Sequence, residues 1–548
     1  MDATISPMGG ALRYRRVWPH PSPQRPLMNQ PAPFQDLPSL IRSHARARPE
    51  AAALRQADAH LNYAELDARM DRVAATLQQA GFKPGDALAI CAGTSADYVA
   101  LFLGALRAGA VVAPLAPSST AQQLLDMASD ADAKRVFVDS STAGLGVKWP
   151  VPTVSLDAAA LEAWLLPAGA LPAPVAIDPA WPFNIIYSSG TTGTPKGIVQ
   201  PHAMRWAHIQ RAGLSGYDTA TVTMIATPLY SNTTLVCLIP TLAYGGCAVL
   251  MPKFDAKGYL ELAQAHRATH TMLVPVQYRR LMDWPGFDGY DLRSFEQKFC
   301  TSAPFHAELK AAVLARWPGG LTEYYGLTEG GGTCILQAHL HPTKLHTVGP
   351  PAEGHDIRLI DEDGRELPPG STGEIVGRSP GMMTGYHGRP DLTRDAEWFS
   401  ADGQRFLRTG DIGRFDDDGF LVLMDRRKDM VISGGFNIYP SDLEAVLRQH
   451  PDVADAAVVG VASREWGETP VAFCVRREGS TLEAEALRQW LNAQVGKTQR
   501  LSALQMVAEL PRSAIGKVLK RELRAAWEAS HHGGAPKDIS EGAAPQSR

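Results

Sequence analysis

Apolar residues recur at helical spacing in LDARMDRVAATLQQAG (66–81), where Met70, Val73, Ala74 and Leu77 share one face and Gly81 supplies a stop. The short apolar run ALAICAG then predicts a strand, YVALFLGALRAG a helix and VVAPL another strand. That alternation points to parallel sheet covered by helices. Ordered structure is expected from Leu37 onward, because Leu37, Leu40 and Ile41 begin the first apolar stripe. Further on, HDIRLID, GEIVGRS and FLVLMDR are short strand patterns between Gly- and Asp-rich turns, which predicts an antiparallel subdomain. Beyond Arg426 the pattern resets. SDLEAVLRQHP predicts a helix with Ser441 and Glu444 as a capping box and Pro451 past its end. DAAVVGVA and TPVAFCVRRE read as strands, and AEALRQWLNAQV reads as a helix.

The 548 residues exceed what one hydrophobic core holds, so at least two domains are expected. Residues 1–34 are Pro-rich and aperiodic, and HHGGAPKDISEGAAPQSR at the other end is equally featureless, so both read as disordered. The expected organisation is a lead-in (1–34), a large α/β domain (35–427), a small α+β domain (428–528) and a tail (529–548). A net charge of −4 without a basic run argues against a nucleic-acid partner. No apolar run reaches the roughly 18–20 residues of a membrane span, and RYRRVWPHPSPQRP lacks a secretory apolar core. The six cysteines stand singly in apolar surroundings, as free thiols do in a reducing cytoplasm, which is the expected location.

One stretch breaks the pattern. YSSGTTGTPKG (187–197) concentrates glycine, serine, threonine and one lysine between the strand FNIIY and the helical HAMRWAHIQRAGL. Clustered backbone N–H and hydroxyl donors suit a phosphate. The Walker pattern fails, because Pro195 precedes Lys196 and Gly197 follows it. The dinucleotide G-x-G-x-x-G pattern fails too, since Gly190 and Gly193 are three apart. A plain linker is disfavoured by the periodic segments on both sides, so a strand–loop–helix phosphate site is expected.

These residues resemble the phosphate signature of the adenylate-forming superfamily, which includes acyl-CoA synthetases, nonribosomal adenylation domains and firefly-type luciferases. Three further motifs follow in the family's order: YYGLTEGG (324–331), RTGDIGRFDDDGFLVLMDRRKDMVISGGFNIYPSDLE (408–444) and PRSAIGKVLKREL (511–523). The resemblance spans about residues 37–525. It implies a large N-terminal α/β domain, with two α/β subdomains and a distorted β-barrel, and a small mobile α+β domain. It further implies ATP, Mg²⁺ and coenzyme A as cofactors, a small carboxylic acid as substrate, no stable membrane insertion and, in some members, a homodimer.

Carried over residue by residue, the resemblance assigns ATP phosphates to Ser188, Ser189, Gly190, Thr191, Thr192, Gly193 and Lys196. Thr328 would hold the α-phosphate and Glu329 the Mg²⁺, a hard cation suited to oxygen ligands. Asp411 would accept the ribose hydroxyls, Arg426 would reach ribose or phosphate, and Tyr325 with Gly326 would face adenine. Ser302, Ala303 and Pro304 would form the adenine-side loop, which reads TSAP here where a glycine-rich version is usual. Lys517 would bridge the acid and the α-phosphate, so Lys517, Glu329, Thr328 and Lys196 are the expected catalytic set. Lys428 matches the hinge about which the small domain turns. That turn would bring Ser433, Gly434 and Gly435 to the pantetheine arm, with Trp466 available to stack on the adenine of CoA.

The expected acyl pocket comprises Tyr230, Ser231, Asn232, Val274, Tyr278, Cys300, Gly330, Gly331 and Leu336. The absent side chains of Gly330, Gly331 and Gly332 leave room for a bulky group. PLYSNTTL (228–235) contains no acidic residue to pair with an amino-acid ammonium and no His where many aryl- and acyl-CoA ligases have PLYH. The expectation is therefore a carboxylic acid–CoA ligase for an aromatic, cyclic or medium-chain acid. The alternative is a stand-alone adenylation enzyme that passes the acyl group to a carrier protein or an amine.

Overall fold

The computed structural model describes residues 33–531, apart from position 58 and the segments 189–195, 427–428, 434–435, 464–465 and 514–515. Two large sheets carry the first part of the chain. The eight-stranded sheet runs in the order Gly330–Gln337, Gly320–Leu327, Gln297–Cys300, His270–Leu273, Val222–Ile225, Cys247–Leu250, Ala52–Gln56 and Ala59–Asn62. Its inner strands are parallel, and each edge is closed by an antiparallel pair. The seven-stranded sheet runs from Thr153–Ser155 through Ala133–Val138, Ala87–Cys91, Val111–Pro114 and Pro182–Ser188 to Lys196–Pro201 and Gly385–Tyr386; it is parallel as far as Pro182–Ser188, and its last two pairings are antiparallel.

Helices Ala96–Arg107 and Asn232–Ala243 are apolar all round, and they share one core with strands of both sheets through Val99, Phe102, Leu238 and Leu242. A helix without a polar face must be covered on every side, which is why these two lie inside. The helix predicted from Met70, Val73, Ala74 and Leu77 spans Tyr63–Gln79 and buries all four residues. It starts earlier than its apolar stripe because Asn62 and Glu65 form a capping box.

An antiparallel sheet of Asp356–Ile360, Thr372–Arg378, Arg405–Phe415 and Glu397–Phe399, with Leu421–Arg426 on Arg405–Phe415, follows as expected. The last sheet pairs Val453–Ser463 with Gly467–Arg476 and adds Val431–Ser433, Phe436–Ile438 and a parallel Ala503–Val507. No helix among the described residues is long and apolar enough to cross a membrane.

Two local expectations fail. The residues after the phosphate loop do not enter a helix directly. Lys196–Pro201 is a strand that pairs back on Pro182–Ser188, and only then does helix His202–Gly213 begin. Ile198 and Val199 are β-branched and buried on the sheet, which favours a strand before the helical pattern begins. The capping box at Ser441 is also absent. Helix Pro440–Arg448 begins one residue earlier with proline in its first turn. Ser441 Oγ donates instead to Met424 O, while Glu444 Oε1 accepts from Val458 N at 2.9 Å and pairs with Lys520.

Candidate active site

The site is assembled from two hairpins. Strands Gly320–Leu327 and Gly330–Gln337 meet at Leu327↔Gly330, leaving Thr328 and Glu329 as a two-residue tip. Gly330 lies at φ +83°, and a Cβ there would stand 2.1 Å from Gly381 O; at Gly332 it would stand 2.5 Å from Ile357 Cγ1. The glycines are therefore demanded by backbone and side-chain approach from the antiparallel sheet. This corrects the expectation that they leave space for a bulky acid: protein fills that volume.

The tip is clamped by the second hairpin. Gln200 Nε2 donates to Thr328 O at 2.6 Å, and Met383 N donates to Glu329 O at 2.8 Å. Tyr386 Oη donates to Glu329 Oε1 at 2.9 Å, and Lys196 Nζ lies 5.3 Å from the Tyr386 ring centroid. Burial and the neighbouring Glu329 carboxylate push the Tyr386 phenol up, so it stays a neutral donor. Lys196, Thr328 and Glu329 thus converge although more than a hundred positions separate the first from the others.

Around this centre, Tyr325 Oη donates to Asp411 Oδ2 at 2.9 Å, and Asp411 stands opposite Arg426 in the strand register. The Thr301–Pro304 loop follows strand Gln297–Cys300 and is tied by Thr301 Oγ1 to Tyr324 O at 2.9 Å. Ser302 adopts φ +82°, in the left-handed region that favours glycine. The hydrogen bond between Ser302 Oγ and Thr233 Oγ1 at 2.5 Å stabilises it there. Ser231 caps helix Asn232–Ala243 by accepting from Thr233 N. A Cβ on Gly516 would lie 2.6 Å from Val276 Cγ1 and 4.0 Å from Val274 Cγ2, so the loop bearing Lys517 is docked beside Val274. In the small sheet, Ser433 pairs with Gly467, next to Trp466, which is 52% exposed.

Three expected pocket residues are not brought to a surface. Tyr278, Cys300 and Leu336 have no exposed area and pack in one apolar cluster, with Tyr278 Oη donating to Phe299 O. They support the wall rather than line it. Ser189, Gly190, Thr191, Thr192, Gly193, Lys428, Gly434 and Gly435 lie outside the described residues, and Ser188 and Arg426 are described by backbone alone.

Motif reading missed Gln200, Tyr386 and a basic group on helix His202–Gly213. Tyr386 was signalled by the turn-rich TGYHG. The basic group was signalled by Arg205, His208 and Arg211 at i, i+3 and i+6 on a helix that must bury a face.

Comparison with known proteins gives the family. The AMP-binding enzyme family matches residues 41–387, and the AMP-binding enzyme C-terminal domain matches residues 442–517. The chain belongs to the AMP-binding enzyme family. It is 33% identical over 504 residues to a feruloyl-CoA synthase of Amycolatopsis sp, covering 89% of this chain and 99% of that protein. It is 32% identical to an indoleacetate–CoA ligase of Aromatoleum aromaticum over 89% of this chain and 98% of that protein. ATP-bound MatB from Rhodopseudomonas palustris superposes with a TM-score of 0.82 at 30% identity, covering 91% of this chain and all of that one.

Proposed function

We propose that the protein is an ATP-dependent acid–thiol ligase that joins a carboxylic acid to coenzyme A through an acyl-adenylate. The observation that carries this reading is the convergence of Lys196, Thr328 and Glu329 at one hairpin tip. In the first half-reaction the substrate carboxylate attacks the α-phosphorus of ATP, and pyrophosphate leaves. Anion approaches anion, so the step needs cations and donors more than a general base. Lys196 would meet the departing phosphates, and Lys517 would bridge carboxylate and α-phosphate. Asp411, held by Tyr325, would accept the ribose hydroxyls.

Glu329 fits a Mg²⁺ role: one carboxylate oxygen is fixed by Tyr386, and the set offers hard oxygen donors. Among the described residues no cluster of three His, Cys, Asp or Glu side chains forms a metal cage. Bound at Glu329, the ion would neutralise charge developing on the phosphates. In the second half-reaction the CoA thiolate attacks the acyl carbon and AMP leaves. Ser433, Gly434, Gly435 and Trp466 would line the thiol's path after a turn of the small domain about Lys428.

The named acids of the relatives, ferulate and indoleacetate, support an aromatic acid. Pyrophosphate release measured across a panel of carboxylic acids, with and without CoA, tests the reading. An acid-dependent release accompanied by AMP and thioester supports it. Release without thioester, with the acyl group passing to an amine or carrier instead, overturns the CoA assignment.

A further inference from the structure

Helix His202–Gly213 carries three basic side chains, Arg205, His208 and Arg211, and among the described residues none has an acidic partner. Arg205 is buried, over the Phe183 ring, and its guanidinium donates to Asn184 Oδ1 at 3.0 Å and to Gln200 Oε1. Its Nη1 meets no acceptor, nor does the buried Nδ1 of His208 meet a partner. One turn on, the Arg211 guanidinium lies 5.7 Å from the Tyr324 ring centroid. His355, whose Nδ1 accepts from Thr333 N at 2.9 Å, adds a fourth basic group from the facing segment. Among the described residues, no carboxylate is within ion-pair reach of Arg205, Arg211 or His208.

The electrostatics point the same way. Burial and the repulsion of Arg211, Arg205 and His355 drive His208 well down, while burial alone lowers Arg205 to about 9. Arg211 is lowered by burial, and Tyr324 is the sole group acting against it. His355 falls to about 4 through burial and Arg211. With both histidines neutral, Arg205 and Arg211 are two guanidinium cations set close together without a carboxylate in reach, which is costly in a folded protein and is offset when an anion binds. Arg205 is covered, whereas His208, Arg211, Tyr324, Thr333 and His355 each keep partial exposure and Gly326 is exposed, so the group opens beside Tyr324 and Gly326.

We infer that the acid carries a second carboxylate, held at the far end of the acyl cleft by Arg211, with Arg205, His208 and His355 behind it. The inference rests on the ligase reading above. Tyr324 and Thr328 stand four residues apart along one hairpin arm, which at about 3.3 Å per residue separates the two ends by at most roughly 13 Å. Long basic arms shorten that span, so the acid is a compact dicarboxylate, such as a ring or short chain bearing two acid groups. A guanidinium receives a carboxylate with two parallel hydrogen bonds, which a neutral ester or methyl group cannot match.

The test uses the full chain with ATP, Mg²⁺ and CoA, and matched acids that differ only at the distal end: dicarboxylates of increasing length, aromatic and aliphatic, each beside its mono-methyl ester. At least one dicarboxylate is expected to exceed its ester in kcat/KM by tenfold or more. Arg211→Met should bring that ratio to within about twofold of one, and Arg211→Lys should retain an intermediate preference. A wild-type ratio near one, or a ratio unchanged in Arg211→Met, overturns the inference while leaving the ligase reading intact. Absence of thioester with every acid overturns both. Melting of each variant is read alongside: removing an unpaired buried charge should not lower the midpoint, and a large loss of stability would mark Arg211 as structural and overturn the proposal.

Discussion

Glu323 and Tyr324 are neighbours on one strand, and their side chains face opposite ways. On Glu323's side lies Lys310, fully buried, paired with that carboxylate and donating to Leu345 O at 2.8 Å and Thr347 O at 3.0 Å. On Tyr324's side lie Arg205, as deep as Lys310, and the half-buried His208 and Arg211, with no acid in reach among the described residues. Both faces bury positive charge, but only one is satisfied by the protein. The satisfied cation joins helix Ala307–Arg316 to the sheet and is part of the scaffold. The unsatisfied group is what a scaffold avoids and a binding cleft requires. A buried lysine or arginine therefore has no fixed meaning until its partners are counted.

The comparison breaks most visibly on the paired face. Glu323→Gln should cost about 3 kcal/mol of stability, read as a lower denaturant midpoint, because Lys310 would keep its charge and lose its carboxylate. If Glu323→Gln is neutral while Arg211→Met unfolds the protein, the two roles are reversed. Almost as large, but in rate, Lys517→Ala should slow pyrophosphate release by about 10²–10³-fold, whereas a supplied acyl-adenylate is still thioesterified. Equal loss of both half-reactions in a folded variant would count against the assigned role.

Smaller is Gly330→Ala, which forces a side chain into a left-handed turn against Gly381 O and should cost about 2 kcal/mol. Thermal melts with and without substrate would follow it, and an unchanged melt would return the glycine run to the acyl pocket. The mildest effect concerns neutral histidines of the scaffold. Burial lowers His270, which bonds Thr269 Oγ1 and Ser215 O, to about 4, against 6.5 when unfolded. The unfolded chain then binds the extra proton, so this contribution to stability is whole above pH 6.5 and lost as pH falls toward 4. The slope is at most about 1.4 kcal/mol per pH unit for one group. His270→Gln should flatten the pH dependence of the denaturant midpoint between 6.5 and 4, and an unaltered profile would show that other groups set it.

Most elements of the fold could be read from local pattern, because helix and strand periodicity are properties of neighbouring residues. Met70, Val73, Ala74 and Leu77 needed no partner to declare their helix. Where a longer-range contact competed, local reading failed. Lys196–Pro201 is a strand because an edge of sheet was waiting beside Pro182–Ser188, and Ser441 abandons its cap for Met424 O. The site divides in the same way. Thr328, Glu329, Asp411 and Lys517 could be named as candidates because each sits in a motif of fixed spacing. Gln200 and Tyr386, which clamp the hairpin tip, were not, since a hydrogen bond across 128 positions leaves no mark on either end.

The chain by itself determined its class: the order of four motifs and the alternation of strands and helices named an adenylate-forming enzyme with two unequal domains. Tertiary structure alone decided which residues are wall and which are cleft. It gave Gly330 and Gly332 to close approach by neighbouring protein atoms, withdrew Tyr278, Cys300 and Leu336 into the core, and left Arg211 over the Tyr324 ring with no carboxylate in reach among the described residues. The reason is that spacing along a chain fixes local conformation, while burial and charge balance depend on what the rest of the fold brings within a few ångströms.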